Sequence, residues 1–200
     1  MKKFLLNLFF VLLCFILVGC SSNNTSQQNS NTKISYDTEK LNIEAQKPKE
    51  EILTTFSTNI LDTSSGRQTN IELTCSVLTG TIVKSGETFS FCDTVGKATP
   101  ERGYKEAKIF DSNGNIIMGY GGGNCQVSST LYNAVLQNSN FEIIERHAHS
   151  HRVYYVAEGK DAAVSYGSVD FKFKNNNDFD IKIVSSTNKE QITVTLIKII

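Results

Sequence analysis

Residues 119–130 read GYGGGNCQVSST, the strongest local structural signal in the chain. Three consecutive glycines, Gly121, Gly122 and Gly123, let the backbone turn through conformations that other residues avoid and leave room for close approach of a substrate. Apolar residues then recur at helical spacing: Val127, Leu131, Ala134 and Val135. The pattern predicts a glycine loop followed by a helix from about residue 125 to residue 138.

Cys125 opens this predicted helix. At a helix start, the unsatisfied N–H groups and the positive end of the dipole favour a thiolate over a thiol. The same N–H groups, with the Gln126 side chain as a further candidate, are suited to hold the oxyanion of a tetrahedral intermediate. The alternative is that Cys125 is a small buried apolar residue, as most free cysteines are. Because such cysteines seldom follow three glycines, the sequence favours a reactive one.

A thiolate nucleophile needs a general base, and three histidines follow in the sequence: His147, His149 and His151. If this segment is extended, their period-two spacing places all three on one face. Asp161 is suited to orient an imidazole, and Arg146 to bind a carboxylate. A metal held by Cys125 and the three histidines is an alternative, although side chains spaced about 6–7 Å apart on one strand face make it awkward.

The rest of the chain alternates short helical and strand patterns. Ile71, Cys75 and Leu78 before Gly80 predict a first helix, and Asn113-Gly114 between apolar pairs predicts a hairpin with a type I′ turn. Strand patterns cover residues 81–83, 88–91, 142–145, 153–156, 169–173, 181–183 and 192–196. We therefore expect an α+β fold, a mainly antiparallel sheet with two principal helices, and the nucleophile cysteine at a helix N-terminus.

The N-terminal residues predict export. Lys2 and Lys3 precede an apolar run that is too short to span a bilayer, and Leu17-Val18-Gly19-Cys20 matches a bacterial lipobox. We interpret residues 1–19 as a lipoprotein signal peptide and Cys20 as the acylated N-terminus, with an uncleaved anchor as the alternative. Residues 20–50, rich in Ser, Asn and Gln at their start, are interpreted as a flexible tether, and residues 51–200 as the folded domain.

The charges balance, with 20 Lys+Arg against 20 Asp+Glu, and this balance argues against a nucleic-acid partner. The predicted partner is instead the membrane, through the N-terminal lipid on the outer face of the cytoplasmic membrane. We expect no cofactor, no metal and a monomer.

The chain resembles the VanW family over about residues 56–183. The segments that carry the resemblance are Phe56-Ser57-Thr58, Asn70-Ile71, residues 86–91 (GETFSF), Gly103-Tyr104, residues 121–133 (GGGNCQVSSTLYN), Glu145-Arg146, His149-Ser150, residues 159–162 (GKDA) and residues 167–171 (GSVDF). The resemblance implies peptidoglycan biology, an association with glycopeptide resistance, and L,D-transpeptidase activity. Such an enzyme forms a thioester with a stem tetrapeptide, releases D-alanine and makes a 3-3 cross-link.

By position, Cys125 matches the family cysteine and His149 the histidine of its His-Ser pair, with His147 as the second candidate base. Asp161 belongs to the predicted catalytic set, and Ser150 to the substrate side with the glycine loop. Cys75 and Cys92 stand where the family usually has other residues, and two alternatives stay open: a disulfide or two separate thiols.

Two alternatives to transpeptidation also stay open. Water in place of an amine acceptor would make the chain a hydrolase. A non-catalytic module would bind stem peptides or glycopeptides, with Arg146 and the glycine loop holding a carboxylate.

Overall fold

The computed structural model describes residues 49–111 and 113–200, which belong to one compact unit. The helices are α1 (Ser65–Leu78), α2 (Phe91–Val95) and α3 (Asn124–Val135). The strands are β1 (Glu50–Asn59), β2 (Ile82–Val83), β3 (Thr88–Ser90), β4 (Glu106–Phe110), β5 (Ile116–Tyr120), β6 (Phe141–Glu145), β7 (Lys172–Asn175), β8 (Ile181–Thr187) and β9 (Gln191–Ile199). The predicted signal peptide, Cys20 and most of the predicted tether lie outside the described residues.

The strands pair into three antiparallel units. A four-stranded sheet has the order β1-β9-β8-β2, a three-stranded sheet the order β3-β7-β6, and β4 pairs with β5 alone. The strands predicted on either side of residues 84–87 are present, but β2 and β3 belong to different sheets. The predicted α+β class with mainly antiparallel strands is confirmed.

The four-stranded sheet has one apolar and one polar face, the alternation that a half-covered antiparallel sheet shows. Its apolar face contains side chains with no exposed surface: Ile181, Ile183, Ile192, Val194 and Leu196. On the opposite face hydroxyl groups pair across β1 and β9, as in Ser57 with Thr193 at 2.8 Å. The strand predictions for β8 and β9 are confirmed.

The two longer helices, α1 and α3, cover the apolar face of the four-stranded sheet. This packing fixes the position of α3 and therefore of its first residues. α1 packs on β8, α3 packs on β1 and β9, and the two helices contact each other. The four apolar residues predicted for α3 are all fully buried: Val127, Leu131, Ala134 and Val135. α3 ends at Val135, three residues before its predicted end. Within the described residues, no helix combines the length and apolarity needed to span a bilayer.

The segment between β6 and β7, residues 146–171, departs from the prediction. No strand forms over residues 153–156, and the segment contains only the isolated bridges His147–Ala163 and Ser165–Val169. Val153 and Tyr155 line a cleft rather than the face of a sheet. Their apolar side chains therefore produced a strand pattern in the sequence although no strand forms there. Long irregular segments of this kind often form binding sites.

The predicted hairpin β4-β5 is present, but its turn differs from type I′. Gly114 has φ of 80°, whereas Asn113 is not among the residues with positive φ. Asp111 closes the loop, since its N–H donates to Asn115 O and its carboxylate accepts from the N–H groups of Asn113 and Asn115. These bonds stabilise a loop wider than two residues.

Candidate functional site

A cleft of about 770 Å³ opens where the glycine loop meets α3. Its walls come from α1, α2, the hairpin β4-β5 and residues 147–169. The polar side chains that face it include Cys125, His149, Arg67 and Tyr155. A concave site with a few convergent polar groups is the usual form of a small-molecule site.

The glycine loop is packed so tightly that side chains do not fit. Gly123, the N-cap of α3, has φ of 116°, and a Cβ there would lie 2.7 Å from Ile71 Cγ1. A Cβ on Gly122 would lie 2.8 Å from the backbone oxygen of Lys108. The fully buried Asn70 supports the loop, because its Nδ2 donates to Gly122 O at 3.1 Å. Glycine is therefore required by conformation and by space.

We expect Gly123→Ala to lower the free energy of unfolding by about 3 kcal/mol, because it adds a clash to an unfavourable φ. Gly159→Ala is the matched control, since Gly159 has φ of 75° and open space around its Cβ position. We expect this variant to lose about 1 kcal/mol. Urea titrations of both variants measure the difference, and equal losses would contradict the packing argument.

Cys125 is the second residue of α3 and is partly buried. Its Sγ lies 3.4 Å from Val164 O and 3.5 Å from Val164 N. The N–H groups on either side of it are used, since Asn124 donates to Gly121 O and Gln126 to Gly123 O. In the described part of the chain, no protein acceptor is found for the N–H of Cys125. A free donor thus lies beside the sulfur, as an oxyanion site requires.

His149 is held in one orientation by Asp161. The ring Nδ1 lies 2.6 Å from Asp161 Oδ2, and the backbone N–H of His149 donates to the same oxygen at 2.7 Å. Arg146 Nη2 donates to Asp161 Oδ1 at 2.7 Å, so the carboxylate is bound on both oxygens. With Nδ1 engaged, Nε2 is the ring nitrogen available to Cys125. Asp161 thus holds His149 directly, and the His149 ring and Cys125 line the same cleft.

The charges in this group are coupled. Burial opposes protonation of His149, but hydrogen bonding and charge interaction with Cys125 and Asp161 outweigh it and raise the pKa of the ring above 6.5. Burial also opposes ionisation of Asp161, yet the hydrogen bonds from His149 lower the pKa of the carboxyl below 3.8. Burial and the neighbouring charge of Cys125 raise the pKa of Tyr155. The interactions of the ring thus favour the protonated form of His149.

Asp161→Asn should lower the free energy of unfolding by about 2 kcal/mol, because Asp161 accepts charged hydrogen bonds with little exposure. The raised pKa of His149 makes its share complete below pH 6.5 and lost as the pH rises through that pKa. The lowered pKa of Asp161 makes its share complete above pH 3.8 and lost as the pH falls through that pKa. Thermal and urea unfolding of both proteins from pH 3 to pH 9 should give the largest difference between these limits, and a pH-independent difference would argue against the ion pair.

α3 also positions the segment that contains Asp161. Ser129 Oγ accepts from the N–H of Ala162 at 2.9 Å, and Asn133 Nδ2 donates to Lys160 O at 2.7 Å. Both side chains are buried. The same helix therefore sets the sulfur and, through two hydrogen bonds, the residues on either side of the carboxylate.

The predicted common face of three histidines does not form. His147 is half exposed and its Nε2 pairs with Glu145 at 3.0 Å, whereas His151 stacks on Phe110 at 5.7 Å. Ser150 Oγ contacts the ring of His151 at 3.0 Å. Within residues 49–111 and 113–200, no group of three His, Cys, Asp or Glu side chains is placed to hold a metal. The alternative of a four-residue metal site is therefore wrong, because the segment is not an extended strand.

Two predicted substrate contacts are occupied by the protein itself. Gln126 is buried, accepts from Arg67 Nη2 at 2.8 Å, and donates to Asn59 O at 2.9 Å. Its side chain links α3 to α1 and β1, so the predicted oxyanion role does not fit this amide. Arg146 binds a carboxylate, but that carboxylate is Asp161.

The structure does not form the disulfide between Cys75 and Cys92, and both are free thiols. Cys75 lies in the hydrophobic core, where burial raises the pKa of its thiol to about 11. Cys92 lies in α2 with its Sγ 3.3 Å from Val169 O, and burial and Asp170 raise the pKa of its thiol to about 12. The two side chains face different surroundings. Cys92 lines the cleft as a second cysteine beside Cys125.

Two cleft residues were absent from the sequence-based site, Arg67 and Tyr155. Arg67 stands four residues before Ile71, the first apolar residue of the α1 repeat, so the helical period already places it on the inner face. Tyr155 belonged to a predicted strand that does not exist, and no sequence signal separates it from the exposed Tyr154.

A family model matches about two thirds of the chain. The model described as VanW like protein aligns with residues 66–197, which include α1 from its second residue, the glycine loop, α3 and Asp161. This chain belongs to the VanW family.

Two curated relatives were found. One is "Uncharacterized protein YoaR" of Bacillus subtilis, 38% identical over 141 residues, or 70% of this chain and 46% of that protein. The other is "Vancomycin B-type resistance protein VanW" of Enterococcus faecalis, 32% identical over 128 residues, or 62% of this chain and 46% of that protein. The present chain spans about half the length of each of these two relatives. No solved structure matches it.

Proposed function

We propose that this VanW-family chain is a peptidoglycan acyl transferase, an L,D-transpeptidase that forms 3-3 cross-links through a thioester on Cys125. The observation that carries the proposal is the placement of Cys125 at the start of α3, in a cleft that also contains a His149 ring held at Nδ1 by Asp161. A thiol, an oriented imidazole and a buried carboxylate are the parts of a nucleophile-base-orienter set.

In the first half-reaction, His149 Nε2 takes the proton of the Cys125 thiol. The sulfur attacks the carbonyl carbon of the L,D bond in a stem tetrapeptide, and the carbonyl oxygen becomes an oxyanion beside the N–H of Cys125. When the intermediate collapses, the carbon–nitrogen bond breaks and His149 gives its proton to the departing amine of D-alanine. The remaining acyl group is a thioester on Cys125.

In the second half-reaction, the amine of a neighbouring stem attacks the thioester carbon. His149 takes a proton from this amine, and the carbon–sulfur bond breaks with return of its electron pair to the sulfur. Asp161 stabilises the imidazolium in both halves, because its carboxylate is 2.6 Å from Nδ1. A water molecule in place of the amine gives a hydrolysed stem by the same steps.

The location of the reaction follows from the N-terminal sequence. Residues 1–19 and Cys20 match a lipoprotein signal and its acylation site, which would hold the domain on the outer face of the cytoplasmic membrane. Nascent peptidoglycan is accessible there. The name of the Enterococcus faecalis relative, a vancomycin resistance protein, supports a role on the cell wall.

The direct test is to incubate the full-length chain in detergent with a disaccharide-tetrapeptide and to analyse the products by chromatography and mass spectrometry. We expect released D-alanine together with a 3-3 linked dimer, or with a tripeptide if water is the acceptor. If folded protein produced neither D-alanine nor the 3-3 linked dimer nor the tripeptide, the proposal would be contradicted.

A further inference from the structure

Arg67 presents an unusual charge to the cleft. It lies in the first turn of α1, where Nη2 donates to Gln126 Oε1 at 2.8 Å. Its Nε is buried without an acceptor in the described residues, and no acceptor is found there for Nη1. An arginine has five N–H donors, so most of its hydrogen-bonding capacity is unused.

Among the described residues, Arg67 forms no ion pair, because the pairs found there involve Arg146, His147, His149, Lys172 and Lys182. Gln126 is the side-chain partner found for its guanidinium in residues 49–111 and 113–200, and Gln126 is neutral. The pKa of Asp62 is lowered mainly by a hydrogen bond from the Ser64 N–H and only in part by Arg67. A partly buried cation without a counter-ion is costly, which favours a role in binding an anion.

The Arg67 guanidinium and Cys125 line the same cleft. Gln126, which anchors it, directly follows Cys125 in the chain. Tyr155 lines the cleft as well; burial raises the pKa of its hydroxyl most, Cys125 raises it further and Arg67 lowers it. Arg67, Tyr155 and Cys125 therefore line the same cleft.

Other cations in the cleft differ in kind. Lys97 and Lys108 line it but are exposed, so their ammonium groups are solvated and mobile. A guanidinium fixed by a hydrogen bond offers directed donors that match the two oxygens of a carboxylate.

We propose that Arg67 binds the terminal carboxylate of the acyl donor and so restricts the reaction to the last peptide bond of a stem. This inference rests on the proposed transpeptidase. In a tetrapeptide, the terminal carboxylate is separated from the scissile nitrogen by a single carbon, so a cation beside Cys125 lies within its reach. At an internal bond, an uncharged amide takes that place and leaves Arg67 unpaired. The ligand class is thus a peptide with a free α-carboxylate.

The test measures binding without catalysis. Full-length Cys125→Ala protein in detergent is titrated by calorimetry with a disaccharide-tetrapeptide and with the same compound amidated only at its terminal carboxylate. We expect the acid to bind roughly 10- to 100-fold more tightly than the amide. Adding Arg67→Gln should make the two affinities equal, and Arg67→Lys should give an intermediate ratio because it keeps the charge but loses the fork.

Lys108→Gln in the same background is the matched control, and its acid-to-amide ratio should stay within about twofold of the parent. If Arg67→Gln does not fold, the ratio of Arg67→Lys decides. Equal affinity for acid and amide in the Cys125→Ala parent, an unchanged ratio in the Arg67 variants, or no binding of either compound would overturn the proposal. Side-chain carboxylates of the stem remain in the amide, so binding through them also appears as equal affinity.

Turnover of the tetrapeptide by the unmutated chain is measured in parallel. Arg67-dependent preference without turnover would reject the transpeptidase and keep the carboxylate site. Turnover without Arg67-dependent preference would do the reverse.

Discussion

Cys125→Ala is expected to reduce the release of D-alanine from a stem tetrapeptide by at least roughly 10⁴-fold. The variant removes the sulfur that attacks the carbonyl in the proposed reaction, while the glycine loop, His149 and Asp161 should keep their positions. Because Cys125 is partly buried and the hydrogen bonds found for its sulfur among the described residues join the backbone of Val164, its loss should disturb the fold little. The rate is measured by quantifying D-alanine over time with the full-length chain in detergent.

Cys92→Ala is the matched control for this prediction. Cys92 lines the same cleft, but burial and Asp170 hold its thiol protonated by raising its pKa to about 12. We expect Cys92→Ala to change the rate of D-alanine release by less than about threefold. If activity survived in Cys125→Ala and were lost in Cys92→Ala, the nucleophile would be Cys92 and the assignment to Cys125 would be wrong. A non-catalytic binding module would instead retain full cellular function in Cys125→Ser.

His149→Gln is expected to lower the same rate by roughly 10³-fold, the middle of the range for loss of a general base. His149 is the histidine whose ring Asp161 orients, and interaction with Cys125 contributes to the raised pKa of that ring. Without it, the thiol loses the group that takes its proton, so residual activity should rise with pH as hydroxide replaces the base. The measurement is a rate profile from pH 5 to pH 9 for the variant and the unmutated chain.

His147→Gln tests the second candidate base. The His147 ring is half exposed and pairs with Glu145 rather than with Asp161. Ion pairs between exposed side chains contribute little free energy. We therefore expect His147→Gln to change the rate of D-alanine release by less than about threefold. A large loss in His147→Gln with a small loss in His149→Gln would contradict the geometry proposed for the reaction.

The elements that the sequence predicted best are those whose burial is periodic. In α3 and in β8 and β9, apolar side chains recur at the period of the element and all face the same core. β1 gives no such signal, because its buried side chains are Thr54 and Thr58, whereas its Ile52 is 70% exposed. Threonine favours strands through its branched Cβ but reads as polar.

The site could be predicted only where local sequence fixes it. Three glycines before a helix placed Cys125, and a resemblance of motifs selected His149. The contact between His149 and Asp161 depends instead on how residues 146–171 fold over the cleft, and α3 sets this through Ser129 and Asn133. The role of Arg146 differed for the same reason, since its carboxylate partner Asp161 is fifteen residues away in the chain.

Arg67 and Tyr155 show the limit of sequence patterns most clearly. Arg67 reaches the cleft from α1, and its partner Gln126 lies in α3, so only the packing of the two helices joins them. Tyr155 faces the cleft because the predicted strand at residues 153–156 does not form. The helical period places Arg67 on the inner face of α1, but no periodicity within one element encodes its bond to Gln126 or the position of Tyr155.

The most direct measurement is a peptide mass spectrum of the full-length chain after brief incubation with a stem tetrapeptide and quenching in acid. The proposed reaction predicts that the peptide containing Cys125 gains the mass of the stem tripeptide acyl group, and that hydroxylamine removes it. An unmodified Cys125 under conditions where cross-linked product accumulates, or an acyl group on another residue, would contradict it.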